Sequence, residues 1–352
     1  MPVCCWGNTM AKVLLTGATG FIGSHSAELF SREQIPVKCL VRPASAVSFL
    51  QQLQVELVHG DIRQIDTILN ALDDVDYVIH TAGKSTDWGR YQDFYDNNVR
   101  GTLNVVKACQ SANISHLIIT GSVSSYGEEN CRQPKNEASP HNAHYPYFLD
   151  GIFPSAMNYY RDTKALLTQQ AVAFATANQM NLTVLEPVWV YGEREFNTGF
   201  YQYVKAVQAG MKFAPGCKTN KFHVIYAGDL ARAYLLAYQK RLPGINRLII
   251  GNPAAATLQE IHALFCQSAG LRPPKLLPRS IIYPVGFIME LLATLFVRPE
   301  PPLLTRSRVN LMYDNIAFSV DKARQFLGFE AGTPLPEGIN KTVAWYRQHG
   351  LL

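Results

Sequence analysis

The run KVLLTGATGFIGSHSAELF, residues 12–30, limits the possible folds more than any other part of the chain. It opens as a short apolar strand, breaks into glycines, and resumes with helical periodicity. Gly17, Gly20 and Gly23 fall where the strand ends and the helix begins, with Thr19, Phe21 and Ile22 among them. A helix N-terminus offers free N–H groups and the positive end of its dipole, which suits a phosphate. Glycine permits the tight turn, lets a pyrophosphate approach the backbone, and lets the helix pack close to the strand. These six positions are therefore the first candidate dinucleotide contacts, because strand, glycines and helix occur in that order.

The alternation continues down the chain. Runs at 37–41, 55–60, 76–82, 116–121 and 182–187 read as strands, with helical patterning between them, most clearly at 91–112. Strands alternating with helices predict an α/β fold with a Rossmann-type doubly wound parallel sheet. Residues 11–187 are assigned to this dinucleotide-binding domain, with 222–251 returning to it. A smaller C-terminal substrate-binding lobe is assigned to 188–221 and 252–352. Ligands in such sheets lie beyond the carboxyl ends of the strands.

The second strand bears on which dinucleotide fits. An acidic residue about 20 residues past the glycines usually bonds the ribose 2′-hydroxyl of NAD. Here no Asp or Glu occurs between Glu33 and Glu56, and Arg42 stands nineteen residues after Gly23. A guanidinium without a carboxylate favours the 2′-phosphate of NADP over NAD. The other reading is that Arg42 only caps an exposed sheet edge.

Two tyrosines precede a lysine by one helical turn: Tyr160 with Lys164 in MNYYRDTKALL, and Tyr201 with Lys205 in FYQYVKAV. Side chains four apart share a helix face, so spacing alone cannot choose between them. Position in the fold can. Ser122 lies at the carboxyl end of the strand at 116–121, and the helix carrying Tyr160 leads into the next strand. That places Tyr160 beside the cofactor crevice, whereas Tyr201 follows the sixth strand, after the chain has left the sheet.

With these pieces in place, the chain resembles the extended short-chain dehydrogenases/reductases of the NAD(P)-dependent epimerase/dehydratase superfamily. The matching stretches are TGATGFIGSH, GDI (60–62), VIHTAG (78–83), NNVRGTLNVV (97–106), ITGSVSSYG (119–127), EPVWVYGER (186–194), FHVIYAGDLARAYLLA (222–237) and SVDKARQFLGF (319–329). The resemblance implies that Ser122, Tyr160 and Lys164 form a catalytic triad supported by Asn98. It implies that Asp61 contacts the adenine, that Ile62, Thr81, Ala82 and Gly83 line the cofactor, and that Pro187 borders the nicotinamide. A homodimer is also implied. The chain departs from the common pattern in having Gly83 where alanine is frequent, Glu186 where arginine is frequent, and 38 residues from Ser122 to Tyr160.

The chemistry asks for such a set. A tyrosine titrates near pH 10, so proton transfer near neutrality needs a shift of roughly 2–3 units, or about 3–4 kcal/mol. A charge pair at ~4 Å in an effective dielectric of ~20 attracts by about 4 kcal/mol, so a lysine ammonium can supply it. Ser122 would donate to the substrate oxygen.

Composition excludes several other classes. Charged residues make up only 17% of the 352, and the net charge of +5 is not concentrated in a basic run. That suits a well-buried protein acting on a small molecule and argues against nucleic acid. Seven cysteines without C-x-x-C spacing read as reduced thiols in a cytoplasmic protein, with no metal site. The first residues show no secretory signal, Met10 is a candidate start, and Cys4 and Cys5 read as inert rather than as lipid acceptors.

Ser280 to Phe296 contains one charge, Glu290, across 17 residues. A membrane span needs about 20 apolar residues, so this stretch reads first as a buried or lid helix of the substrate lobe. The other reading is an interfacial helix making a peripheral membrane contact. With the aromatic DWGRYQDFY (87–95), the segment resembles the 3β-hydroxysteroid dehydrogenase-like branch. The leading expectation is thus interconversion of a secondary alcohol and a ketone on a sterol-like or 3-oxo lipid. A nucleotide-sugar epimerase or dehydratase is the alternative; it needs groups for a diphosphate, and none stands out, though Lys218, Lys221 and Arg306 could serve. A non-catalytic dinucleotide sensor is the third.

Overall fold

The computed structural model describes residues 11–127, 131–195 and 199–352; the readings at Cys4, Cys5 and Met10 fall outside them. Six strands come first: β1 (Val13–Thr16), β2 (Val37–Val41), β3 (Glu56–His59), β4 (Tyr77–His80), β5 (His116–Thr120) and β6 (Leu182–Pro187). Four short strands follow: β7 (Trp189–Tyr191), β8 (Phe213–Pro215), β9 (Lys221–Phe222) and β10 (Val224–Tyr226). β11 (Ile245–Ile250) comes after them. The main sheet has seven strands in the order β11-β6-β5-β4-β1-β2-β3. All of its pairings are parallel.

β1, β2 and β4 are buried along their whole length. This is why their sequences read as unbroken apolar runs: a parallel sheet is covered on both faces. On one face α1 (Phe21–Arg32) packs against α7 (Ala227–Lys240). The other face carries α2 (Ile65–Ala71), α4 (Gly101–Ser111) and α5 (Ala156–Ala177). From β1 the strand order runs outward in both directions, so the crevice between β1 and β4 is the topological switch point where such sheets bind ligands.

The helix expected over 91–112 differs in its middle. It begins as α3 (Tyr91–Phe94), widens into a π turn over Tyr95–Arg100, and becomes α-helical again as α4. Asn98 sits in the widened turn, and such single turns concentrate at functional sites.

The rest of the chain forms a second group of elements. It contains α6 (Gly199–Gln208), α8 (Leu258–Ala269), α9 (Arg279–Leu295), α10 (Arg306–Leu311), α11 (Asp321–Leu327) and α12 (Leu335–Gln348). Of these, α11 packs back against β11 and α7. The strands β12 (Ala256–Thr257) and β13 (Lys275–Leu277) pair with β9 and β8. Among the described residues no helix is long and apolar enough to cross a membrane.

Candidate active site

The glycine turn is held by contacts that leave no room for side chains. Gly17 ends β1 at φ +77°, and a Cβ there would lie 2.5 Å from the Ala82 nitrogen. A Cβ on Gly23 would lie 2.1 Å from the Gly17 oxygen and 2.7 Å from Thr81 Oγ1. The Thr81 hydroxyl in turn donates to the Thr16 carbonyl at 2.8 Å. Gly20 caps α1 without any side-chain bond, and the first turn of α1 holds no acidic residue. The helix N–H groups are therefore left for an anion, and the turn fits a dinucleotide pyrophosphate.

At the far end of the crevice, Arg42 follows β2 and is exposed. Asp61 is gripped by Arg63, with Nη2 to Oδ2 at 2.6 Å and Nε to Oδ1 at 3.1 Å. Arg63 holds the Asp61 carboxyl below the usual carboxylate range, and the Arg42 charge adds to this. Two guanidinium groups thus surround one carboxylate. The Ile62 carbonyl accepts from Asn104 Nδ2 at 3.0 Å, which fixes this loop to α4.

The reacting groups meet at the carboxyl ends of β5 and β6. Ser122 caps a short helical turn over Val123–Tyr126. Its Oγ accepts from Ser124 N at 3.2 Å, from Ser124 Oγ at 2.7 Å and from the Tyr160 hydroxyl at 3.3 Å. Three donors thus crowd an oxygen with two acceptor lone pairs, and the Ser122 proton is left to donate outward. One turn along α5, Lys164 Nζ donates to the Thr120 carbonyl at 3.0 Å. Lys164 is buried, and burial pulls its pKa down to about 8.

Asn98 closes the set. Its Oδ1 accepts from Lys84 N at 2.7 Å, and its Nδ2 donates to Lys84 O at 3.1 Å and Thr163 Oγ1 at 3.2 Å. One fully buried amide therefore ties the loop after β4 to α5. The π turn that carries it is the backbone's accommodation of those three bonds. A Cβ on Gly83 would stand 3.1 Å from Asn98 Oδ1 and 3.9 Å from Lys164 Nζ, so the glycine leaves space where these residues converge. Pro187 ends β6, buried on the same edge.

The second tyrosine–lysine pair goes elsewhere. Lys205 Nζ lies 5.5 Å from the Tyr201 ring, and the Tyr201 hydroxyl donates to the Leu351 carbonyl at 3.4 Å. It is packing within the lobe.

The structure also assembles residues that the sequence reading did not single out. Ser124 is one, Arg63 another; the GDIR run placed Arg63 two residues past Asp61, which was the available signal. Glu186, noted only as a departure, is fully buried and accepts from Tyr126 at 2.5 Å and from Arg247 Nη2 at 3.0 Å. Burial raises its pKa, and the Arg247 charge opposes that rise. The pair braces the turn that presents Ser122.

Around the mouth, the DWGRYQDFY loop is bonded to the second group of elements: Arg308 Nη2 donates to Asp87 Oδ1 at 2.9 Å, and Trp88 Nε1 to the Arg298 carbonyl at 3.0 Å. Tyr91 lies edge-on to Tyr159 at 5.6 Å. Arg306, considered above for a diphosphate, is committed inside: Nε and Nη2 donate to Glu290 at 2.9 and 3.1 Å, Nη2 donates also to the Phe153 carbonyl at 2.6 Å, and Nη1 donates to the Phe148 carbonyl.

A glycine turn at the switch point, with a serine past the end of β5 and a tyrosine and lysine on α5 beside it, defines a dinucleotide-binding α/β enzyme. Residues 13–251 match the NAD dependent epimerase/dehydratase family. The chain belongs to that family, and it is an NAD(P)-dependent oxidoreductase of the extended short-chain type on the 3β-hydroxysteroid dehydrogenase-like branch. It is 26% identical to a 2-alkyl-3-oxoalkanoate reductase of Stenotrophomonas maltophilia, covering 95% of this chain and 98% of that one. It is also 26% identical to the decarboxylating sterol-4-alpha-carboxylate 3-dehydrogenase of Saccharomyces cerevisiae, covering 95% and 97%. Among solved structures, gox2253 superposes with a TM-score of 0.80 at 26% identity, covering 98% of this chain and 100% of that one. MoeE5 in complex with UDP-glucose and NAD gives 0.74 at 22% identity, over 96% and 99%, a likeness of fold.

Proposed function

We propose that this enzyme interconverts a secondary alcohol and a ketone on a lipophilic small molecule, using NADP in preference to NAD. The observation that carries the reading is the Tyr160 hydroxyl 3.3 Å from Ser122 Oγ, with the buried Lys164 ammonium one turn away. Residues 11–187 and 222–251 hold the dinucleotide, and the remainder shapes the substrate lobe. The cofactor, when bound, supplies or takes the hydride.

The chain's own groups handle the oxygen. Ser122 donates its free proton to the substrate oxygen and so stabilises charge developing there. Tyr160 gives that oxygen a proton in reduction and takes it back in oxidation. Lys164 favours the phenolate through its charge. Asn98 holds the loop after β4 against α5 and keeps this geometry fixed. Gly17, Thr19, Gly20, Phe21, Ile22 and Gly23 bind the pyrophosphate side. Asp61, Ile62, Thr81, Ala82, Gly83 and Pro187 line the rest of the cofactor path. Arg42, with Arg63 beside it, binds the 2′-phosphate.

Support for a lipophilic substrate comes from α9, whose one acid, Glu290, is turned inward and neutralised by Arg306, and whose one base, Arg279, is paired with Asp314. That pairing also removes Arg306 as a diphosphate ligand. The names of both relatives given above describe carbon skeletons carrying a carboxylate and an oxygen at position three, so 2-alkyl-3-oxoalkanoates and sterol carboxylates are the substrates to try first.

Tyr160→Phe tests the reading. It should leave dinucleotide binding intact and lower turnover by about 10²–10⁴-fold. Undiminished turnover would mean that Tyr160 is not the acid. Net NADPH consumption with a ketone distinguishes this activity from epimerisation or dehydration, which return the hydride.

A further inference from the structure

Lys84 carries a charge that its surroundings leave unanswered. It follows Gly83 on the loop after β4, and Asn98 fixes its backbone at both ends, accepting from Lys84 N at 2.7 Å and donating to Lys84 O at 3.1 Å. The side chain is 26% exposed, so it is largely withdrawn from water. Nζ stands 5.1 Å from the centre of the Phe94 ring, whose face attracts a cation. Asp93 Oδ2, at 3.9 Å, is too far to accept a hydrogen bond. The other oxygen of Asp93 already accepts from Arg90 Nη2 at 3.0 Å. Among the described residues, none accepts a hydrogen bond from Lys84 Nζ. An ammonium offers three donors, and a charge drawn out of water calls for a partner.

Other cations of the site and its mouth are already committed. Lys164 donates to the Thr120 carbonyl, Lys135 to the carbonyls of Tyr126 and Gly127, Arg308 to Asp87 and Arg306 to Glu290. Lys84 also stays approachable. Gly89 has φ +135°, and a Cβ there would stand 3.0 Å from Lys84 Nζ, so any side chain at 89 would crowd the ammonium.

From this the geometry points to Lys84 as the residue that selects substrates bearing a carboxylate near the reacting ketone, a role that rests on the alcohol–ketone reading above. A Cβ on Gly83 would lie 3.9 Å from Lys164 Nζ, which puts the root of the Lys84 side chain one residue from the reacting groups. A lysine is a compact point charge on a flexible stem, with three rotatable donors. It therefore suits a single carboxylate whose skeleton is already held by its ketone against Ser122 and Tyr160. The dinucleotide's anions have partners elsewhere, at the N-terminus of α1 and beside Arg42 and Arg63. The class that fits is a lipophilic 3-oxo acid, or its 3-hydroxy acid in the reverse direction.

The test compares a 2-alkyl-3-oxoalkanoic acid with its methyl ester, using NADPH, in the wild type and in Lys84→Met. The wild type should favour the acid in kcat/KM. Lys84→Met should lower that acid-over-ester ratio by roughly 10- to 100-fold, the size of one charge-assisted hydrogen bond. A ratio that Lys84→Met leaves unchanged overturns the role of Lys84. So does weaker NADP binding with equal losses on acid and ester, which assigns the ammonium to the cofactor. Calorimetry of the 3-hydroxy acid and its ester on the NADP-loaded protein separates this role from the reaction itself. If no ketone is turned over in either form, alcohol–ketone interconversion fails, and the acid preference in binding, with its loss in Lys84→Met, still decides for or against Lys84. If Lys84→Met fails to fold, Lys84→Gln takes its place, and equal wild-type binding of acid and ester rejects the role without any variant.

Discussion

Replacing Lys164 with methionine should stabilise the cofactor-free fold while abolishing turnover. Burial lowers the lysine pKa from 10.5 to about 8. At about 1.4 kcal/mol per unit, keeping this ammonium inside the folded protein costs about 3 kcal/mol at neutral pH relative to the unfolded chain. Methionine removes that cost and fills similar space. Against this, the Thr120 carbonyl loses its donor at 3.0 Å, and an orphaned buried acceptor costs about 1–3 kcal/mol. The net expectation is a gain of about 1 kcal/mol near pH 7.

The pH dependence gives a stricter test. The folded protein releases this proton from about pH 8 and the unfolded chain only near 10.5. Between those values the unfolded state binds more protons, so wild-type stability rises with pH by up to about 1.4 kcal/mol per unit relative to the variant. The penalty is complete below the folded value and gone above the unfolded one. Urea unfolding of both proteins at neutral and alkaline pH measures the difference. A stability difference that does not change with pH, or a variant several kcal/mol weaker at neutrality, would refute the burial argument.

Gly17→Ala places a methyl 2.5 Å from the Ala82 nitrogen at a backbone φ of +77°; lost dinucleotide binding, read by fluorescence titration, is expected with lowered stability. Arg42→Ala and Arg63→Ala should each raise the KM for NADP and leave that for NAD nearly unchanged, and equal effects on both would remove the 2′-phosphate assignment. His144 bonds Asp162 at 2.9 Å and Asp150 at 3.0 Å, and the Asp162 carboxylate raises its pKa. Its bridge therefore contributes at acid pH and is lost as pH rises through the raised value. His144→Gln should lower Tm at acidic pH and have little effect under alkaline conditions.

The parts of this enzyme legible in its sequence are those set by local physics. The strand–glycine–helix turn was readable because Gly17 needs a positive φ and Gly23 needs close packing, both encoded within a few residues. The strands could be read because parallel strands buried on both faces are apolar throughout. Tyr160 and Lys164 were readable as a pair because four residues make a helical turn. Yet Tyr201 and Lys205 have the same spacing, and only their place in the fold separates them: one hydroxyl meets Ser122, the other a carbonyl near the C-terminus.

Tertiary structure alone decided the rest. The π turn at Asn98 follows from bonds to Lys84 and to Thr163, 65 residues away. Arg63 becomes part of the crevice when its loop folds back on Asp61 beside Arg42. Glu186 looks like an odd substitution until Tyr126 and Arg247 close around it, and Glu290 looks like a charge on an apolar helix until Arg306 neutralises it. Sequence periodicity carries information about neighbours along the chain. A desolvated charge or a buried amide is settled by whichever distant partner can satisfy it, because leaving it unpaired costs more than the fold can spare.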